Sequence, residues 1–207
     1  MKKTLLLTFL LFAAAISYSQ GLKIGLKGGL NFPTVDAVGV GDGVDVSDRE
    51  NASGYHVGAF ARFKLSKIAI QPEVLYSFQS VDFTQSALGQ DFDVTQKLSY
   101  LTVPVMVRLY LVAGLNLQAG PQFGFLINGE QEDNIQGSVT SSSIEDQLKN
   151  SDIGLNLGAG WDLPFGLDIH ARYTIGLQDV NDVQGAGEAK NSQVQISIGY
   201  ALVNLGK

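Results

Sequence analysis

Apolar and polar residues alternate along almost the whole chain after residue 20, and no segment there shows a convincing helical period. Side chains on a strand point alternately to its two faces, so this alternation predicts β-strands. Eight segments carry the pattern, at about 22–32, 54–64, 67–79, 97–110, 115–128, 152–162, 166–178 and 193–203. The sequence therefore predicts an all-β protein with eight strands.

The connections between these segments alternate between short and long. Three are short turns, near LSK, LVAG and LPFG, and four are long, at about 33–53, 80–96, 129–151 and 179–192. This alternation is typical of outer-membrane barrels, whose periplasmic turns are tight and whose extracellular loops are extended. We predict an eight-stranded antiparallel up-and-down transmembrane β-barrel with three short periplasmic turns and four long extracellular loops. A soluble lipocalin-like barrel also has eight strands, so the side chains on the two strand faces must decide between the two kinds of barrel.

One face of each strand is aliphatic, and the other mixes glycine with long polar side chains, as in DIGLNLGAGW. Glycine weakens a strand that faces water, whereas inside a narrow barrel small residues make room for long ones. The glycine-bearing face is therefore predicted to line the lumen, and the aliphatic face to contact lipid. In KIAIQPEVLYSFQ this assignment places Glu73 inside the barrel.

The N-terminal segment predicts export. Two lysines precede the apolar run LLLTFLLFAAAI, and small residues follow it before Gln20. We interpret residues 1–19 as a signal peptide and residues 20–207 as one barrel domain in the outer membrane. A retained membrane anchor is the alternative, although the run is short for a membrane span.

Composition and charge narrow the chemistry. The chain has no cysteine, which excludes disulfides, thiol catalysis and cysteine metal sites. Its formal net charge of −6 argues against a nucleic-acid partner. The four long connections hold 16 of the 20 acidic residues. That concentration of one sign should attract divalent cations or a basic face of an envelope protein.

Asp42, Asp45 and Asp48 are the candidates for a metal site in the first long connection. Their spacing is not that of an EF-hand, so a solvated acidic loop is the simpler interpretation. We predict no cofactor for the chain.

The predicted lumen face collects ionisable side chains. A structural salt-bridge and hydrogen-bond network is predicted for Lys27, Arg62, Glu73, Arg108, Asp168, His170 and Arg172. Such charges need partners where water is scarce, and a charged conduction path or a binding site is the alternative. His170, with Asp168 and Arg172 on its face, is triad-like, but it is predicted below mid-barrel, away from an accessible rim. No catalytic residue is therefore predicted.

Several stretches resemble the outer-membrane β-barrel family typified by PorT: IAIQPEVLYS, LSYLTVPVMVRLYL, LQAGPQFGFLING, DIGLNLGAGWDLPFGLDIHARYTIGLQDV and VQISIGYALV. The combination of the Gln-Pro-Glu strand with the following Leu-x-Val-Pro strand carries the resemblance. It implies a small monomeric barrel and, for some relatives, a role in protein secretion or envelope assembly.

From these observations we expect a non-enzymatic, integral outer-membrane protein that contacts lipid. It would act as a binding, scaffold or envelope and secretion assembly component through its extracellular loops. The alternatives are a narrow outer-membrane pore and a soluble lipocalin-like carrier.

Overall fold

A computed structural model describes residues 21–34, 37–39, 51–87, 90–135, 138–144, 149–178 and 187–205. Within these residues lie the strands β1 (Gly21–Thr34), β2 (Ala37–Gly39), β3 (Asn51–Leu65), β4 (Ile68–Ala87), β5 (Gln90–Tyr110), β6 (Leu115–Ile135), β7 (Ser138–Ser143), β8 (Ser151–Asp162), β9 (Leu167–Gly176), β10 (Gly187–Ala189) and β11 (Ser192–Leu205). A short 3-10 turn, Pro164–Gly166, joins β8 to β9. In the described part of the chain, no helix is both long and apolar enough to cross a membrane. The predicted signal peptide and the candidates Asp42, Asp45 and Asp48 lie outside it.

Eight of the strands form a closed antiparallel ring. Its order is β1, β3, β4, β5, β6, β8, β9 and β11, and β11 pairs back to β1 over Leu22↔Leu205 to Thr34↔Ser192. Ring neighbours follow each other along the chain apart from this closing pair, which is the up-and-down order. Closure leaves no unpaired edge within the ring, as lipid requires. The prediction of an eight-stranded up-and-down barrel is confirmed.

Burial alternates along the ring strands with the period of two that the sequence predicts. In β9, Ile169 and Ala171 are exposed, whereas His170 and Arg172 are buried. Exposed aliphatic side chains surround the barrel: Ile24, Leu26, Leu30, Val57, Ile70, Val74, Val107, Leu109, Leu117, Leu157, Ile169, Ile196 and Ile198. Polar and charged side chains fill the inside, and Glu73 there is 1% exposed. This inside-out distribution suits a barrel surrounded by hydrocarbon rather than a soluble carrier.

Glycines on the inner face provide space for large side chains. A Cβ atom on Gly158 would lie 2.8 Å from Arg172 Cγ, and one on Gly160 would lie 2.8 Å from His170 Nδ1. A Cβ atom on Gly25 would come within 2.7 Å of the buried Phe60 ring. The mixture of glycine with long side chains is therefore a requirement of packing inside a narrow barrel.

All four long connections contain strand that the sequence does not predict. In the first and the fourth, the short strands β2 and β10 pair with each other, and the second and the third contain longer extensions. The interval 80–96 was predicted to be a loop, but β4 and β5 remain paired up to Ala87↔Gln90. In the predicted loop 129–151, β6 continues to Ile135 and β7 folds back against it. These extensions lack a continuous aliphatic face because they lie beyond the lipid-facing part of the ring, and the pattern that identified the other strands is absent there.

Candidate functional site

A carboxylate on β4, Glu73, lies at the centre of the lumen contacts. Its Oε2 accepts hydrogen bonds from Lys27 Nζ at 3.0 Å and from Arg172 Nη1 at 2.9 Å. Its Oε1 accepts from Arg172 Nη2 at 2.6 Å and from Gln71 Nε2 at 2.7 Å. The two bonds from Arg172 form a bidentate pair, a strong and directional arrangement. Glu73 thereby connects β1, β4 and β9 across the lumen.

A second group of carboxylates lies next to the turn between β8 and β9. Arg62 donates from Nη1 to Asp162 Oδ2 and from Nη2 to Asp168 Oδ2, both at 2.8 Å. Arg108 Nη2 donates to Asp162 Oδ1 at 2.6 Å, and the Tyr110 hydroxyl donates to Asp162 Oδ2 at 2.9 Å. Arg62 and Arg108 thus share Asp162, and Arg62 also contacts Asp168.

The amide of Gln71 joins these two groups. Its Oε1 accepts from Arg62 Nε at 2.5 Å and from Arg108 Nη1 at 2.7 Å, while its Nε2 donates to Glu73. Each polar atom of this buried amide therefore has at least one partner. A single amide in this position orients two guanidinium groups and one carboxylate.

His170 connects the network along the opposite wall. Its Nδ1 lies 2.8 Å from Gln118 Nε2, and its Nε2 contacts Asp168 Oδ1. Because the amide nitrogen donates, Nδ1 accepts, and the ring proton lies on Nε2 facing Asp168. Gln118 Oε1 in turn accepts from Arg172 Nε at 2.8 Å. Both ring nitrogens contact groups other than a hydroxyl, so this triad-like cluster provides no nucleophile.

We call this connected group the charged plug; its members are Lys27, Arg62, Gln71, Glu73, Arg108, Asn116, Gln118, Asp162, Asp168, His170 and Arg172. All seven residues that the sequence singled out lie in it and are connected through its hydrogen bonds. The predicted network lacked four further members, Gln71, Asn116, Gln118 and Asp162, although their inward position in the alternation was readable. The plug occupies the half of the lumen near the short turns. There Lys64 Nζ also lies 3.8 Å from the Tyr110 ring centroid, and Lys23 is half-buried.

The half of the lumen near the long connections is built from amides and hydroxyls. We call it the neutral half; its buried members include Asn31, His56, Ser77, Gln79, Gln122, Asn156, Thr174, Gln193, Gln195 and Ser197. Gln79 Nε2 donates to Gln193 Oε1 at 3.0 Å. Thr174 Oγ1 donates to Asn156 Oδ1 at 2.6 Å.

One arrangement in the neutral half has the form of a nucleophile, a base and an orienting group. Ser197 Oγ lies 2.8 Å from His56 Nε2, and His56 Nδ1 lies 2.7 Å from Asn31 Oδ1. The Asn31 amide nitrogen donates to Ser77 Oγ at 2.8 Å, which leaves Oδ1 to accept and Nε2 of the ring to accept from the serine. Ser197 and His56 are each 1% exposed, so a substrate has no access to them. Their residues lie on three strands, which explains why the sequence did not reveal them.

Two buried acceptors have no protein partner among the described residues: Asp152 Oδ1 and Gln195 Oε1. The other oxygen of Asp152 accepts from Asn191 Nδ2 at 3.1 Å. In the same part of the chain, no group of three or more histidine, aspartate or glutamate side chains is arranged to hold a metal ion.

Comparisons with known proteins agree with this geometry. The family model of the outer membrane protein beta-barrel domain matches residues 16–182. A comparison with curated protein sequences found no match. Among solved structures, the attachment invasion locus protein Ail of Yersinia pestis, in complex with the heparin analogue sucrose octasulfate, is 13% identical with a TM-score of 0.50. That likeness covers 87% of this chain and 98% of Ail, and at this identity it shows the fold alone.

Two further structures are similar at lower scores. OprG from Pseudomonas aeruginosa is 10% identical with a TM-score of 0.48, covering 92% of this chain and 98% of OprG. Neisserial surface protein A is 9% identical with a TM-score of 0.44, covering 89% of this chain and 98% of that protein. The closed ring, the aliphatic outer surface and the family match together show that this chain belongs to the outer membrane protein beta-barrel domain family and is located in the outer membrane.

Proposed function

We propose that this protein is a non-enzymatic binding, scaffold or envelope-assembly component that engages an extracellular partner through its long-loop end. The observation that carries the proposal is an outer sheet, which we define as residues 80–87 of β4, 90–97 of β5 and 129–135 of β6, together with β7. Phe125 of β6 pairs with Ser151, where β8 begins, and β6 continues for ten residues beyond that point. At about 3.3 Å per residue, those residues extend about 30 Å along the strand.

The outer sheet offers a backbone edge for binding. Among the described residues, β7 pairs with β6 on one side and with nothing on the other. Its sequence, SVTSSS, contains neither the charges nor the proline that normally protect an edge strand. An extended segment of a partner could therefore add to this edge as a further strand.

Charge favours a basic partner. The outer sheet carries Glu130, Glu132 and Asp82, and Lys97 Nζ forms a 2.6 Å salt bridge with Glu132. The acidic residues of the long connections add to this charge, and Asp42, Asp45 and Asp48 among them are the candidate cation ligands. Sucrose octasulfate, which Ail binds, is an anion, so we do not expect that ligand class here. Attraction between exposed charges should weaken as salt is added.

The narrower resemblance to PorT supports a role in secretion or envelope assembly by a monomeric barrel. The residues of its Gln-Pro-Glu motif have a structural place: Gln71 and Glu73 point into the charged plug, and Pro72 lies on the outer side. The motif therefore describes how the barrel is filled, and any shared function must lie in the long connections. The non-enzymatic role is supported by the burial of both histidine clusters.

Edge binding is tested by co-purification from detergent-solubilised outer membrane with the double variant Thr140→Glu/Ser142→Glu. Glutamates block edge pairing, yet they add negative charge that should strengthen attraction to a basic partner. We expect the partner to be lost from the Glu pair and retained by the control Thr140→Ala/Ser142→Ala. A partner retained by both pairs would reject the edge as the binding site.

The charge component is tested separately with calcium and with a lysine-rich peptide as probes. Binding to the barrel in vesicles is measured at low and at physiological ionic strength, for the wild type and for Asp42→Asn/Asp45→Asn/Asp48→Asn. We expect affinity to fall with salt and with the triple change. Equal binding and equal salt dependence in both proteins would remove the first long connection from the mechanism.

A further inference from the structure

Two of the short turns lie side by side, and hydrogen bonds from the end of β8 connect them. They are the turn at residues 111–114 (LVAG), between β5 and β6, and the turn at residues 163–166 (LPFG), between β8 and β9. They are neighbours because β6 pairs with β8, ending at Leu115↔Trp161. Trp161 Nε1 donates to the Ala113 carbonyl at 2.9 Å. We call these two turns together the apolar turn pair.

The apolar turn pair holds hydrophobic side chains outside the barrel. Phe165 is 95% exposed and Val112 is 71% exposed, and Leu111 is exposed as well. Phe165 has φ 66° and ψ 16°, a left-handed conformation that bulky residues rarely adopt. Ser66 and Ala113 also have positive φ in the other two short turns, so this backbone geometry is common to all three turns, and the exposed phenyl ring is what distinguishes Phe165.

The exposed surface of the turn pair is continuous with the lipid-facing belt. Above the turn at 111–114 lie Leu109 and Leu117, and Trp161 and Leu167 flank the turn at 163–166, all exposed. The neighbouring Asp162 directs its carboxylate to Arg62 and Arg108 in the lumen. Among the described turn residues, therefore, no charged side chain lies between the turn tips and the lipid-facing side chains of the strands.

Backbone hydrogen bonds close both turns of the pair. Leu111 N donates to Leu115 O and Leu163 N donates to Leu167 O, each at 2.8 Å. Leu115 N donates to Val112 O at 3.0 Å. These bonds satisfy part of the backbone polar groups of the turns, as entry into lipid requires.

The third short turn, between β3 and β4, provides the contrast. Its tip is Ser66 and Lys67, both exposed, so it presents a hydroxyl and an ammonium group to the solvent. We propose that the apolar turn pair is immersed in the lipid of the periplasmic leaflet, with Phe165 as an interfacial anchor. The barrel would then sit deeper on this flank than at Ser66 and Lys67. Aromatic rings suit this position because the interface favours them.

The depth of the two turn types is measured with single-tryptophan proteins. Trp161 is the one tryptophan of the chain, so Trp161→Phe removes the background, and Phe165→Trp or Lys67→Trp then adds a probe. Each protein is folded into phosphatidylcholine vesicles that contain lipids brominated near the top of the acyl chain. We expect blue-shifted, strongly quenched emission for the probe at position 165 and water-like emission at position 67. Water-like, unquenched emission at position 165 would overturn the proposal. Blue-shifted emission that the brominated lipids do not quench would also overturn it, because it would indicate a second copy on this surface.

A second variant separates lipid anchoring from a structural role of the turn. Asparagine tolerates positive φ well, so Phe165→Asn relieves backbone strain while removing the ring. If the turn has only a structural role, the urea midpoint of unfolding of Phe165→Asn from these vesicles should stay the same or rise. Lipid anchoring predicts a lower midpoint for Phe165→Asn and no shift for the control Lys67→Asn. An unchanged or raised midpoint for Phe165→Asn would contradict the proposal.

Discussion

The two halves of the lumen are filled by side chains of different chemistry. The charged plug, near the short turns, fills its space with ion pairs in which each carboxylate contacts more than one donor. The neutral half, near the long connections, joins amides, hydroxyls and His56 through hydrogen bonds. Within the described residues it also contains two buried acceptors without a protein partner, Gln195 Oε1 and one oxygen of the carboxylate Asp152. The difference shows that burial in this barrel does not require charge, so the charges of the plug need an explanation of their own.

The explanation lies in the free energy that is lost when one partner of a contact is removed. Removing one partner of a buried ion pair leaves an uncompensated charge, at a cost of about 3–5 kcal/mol. Removing one partner of a neutral hydrogen bond costs about 1–3 kcal/mol. The plug should therefore make the short-turn half rigid and closed, whereas the neutral half should tolerate change.

The largest expected effect is at the centre of the plug. Glu73→Gln leaves Lys27 and Arg172 without their shared carboxylate, so we expect a loss of about 3–5 kcal/mol in the free energy of unfolding from vesicles. Reversible urea unfolding measures this loss. Lys27→Met should cost less in the Glu73→Gln background than in the wild type, because it then removes an unpaired charge. Additive costs would mean that the pair is not coupled.

The next effect tests the inside and outside assignment on which the comparison depends. Val105→Arg puts a charge into hydrocarbon and should cost about 2–4 kcal/mol near the bilayer midplane. The matched lumen change Thr102→Gln should cost less, because it puts no charge into hydrocarbon and keeps an uncharged polar side chain on the buried inner face. The opposite ranking in the same unfolding experiment would invert the assignment of the two faces.

A smaller effect is expected in the neutral half. Gln79→Leu leaves Gln193 Oε1 without its donor, and we expect a loss of about 1–2 kcal/mol. Gln79→Leu/Gln193→Leu removes both partners and should recover part of that loss. A loss as large as that of Glu73→Gln would remove the energetic distinction between the two halves.

The sequence predicted the ring because the lipid-facing strands carry an alternation that can be read directly. This prediction failed where neither face of a strand contacts lipid, as in the extensions of β4 beyond Gln79 and of β6 beyond Asn128. The inward position of every second residue similarly identified the ionisable side chains, but it did not show which of them are in contact. Asn31, His56 and Ser197 come together only through the register of β1 with β3 and β11. That register depends on closure of the barrel and cannot be read from local pattern.

The most direct test of the account is the conductance of the wild-type barrel in planar bilayers. Buried side chains of the charged plug and of the neutral half occupy the two halves of the lumen, and eight strands leave little space beyond their own side chains. We predict no steady conductance, which is consistent with a protein that acts through its long-loop end. Stable, ion-selective channels that disappear on changing Arg108 or Arg172 would contradict the closed lumen and favour the narrow pore.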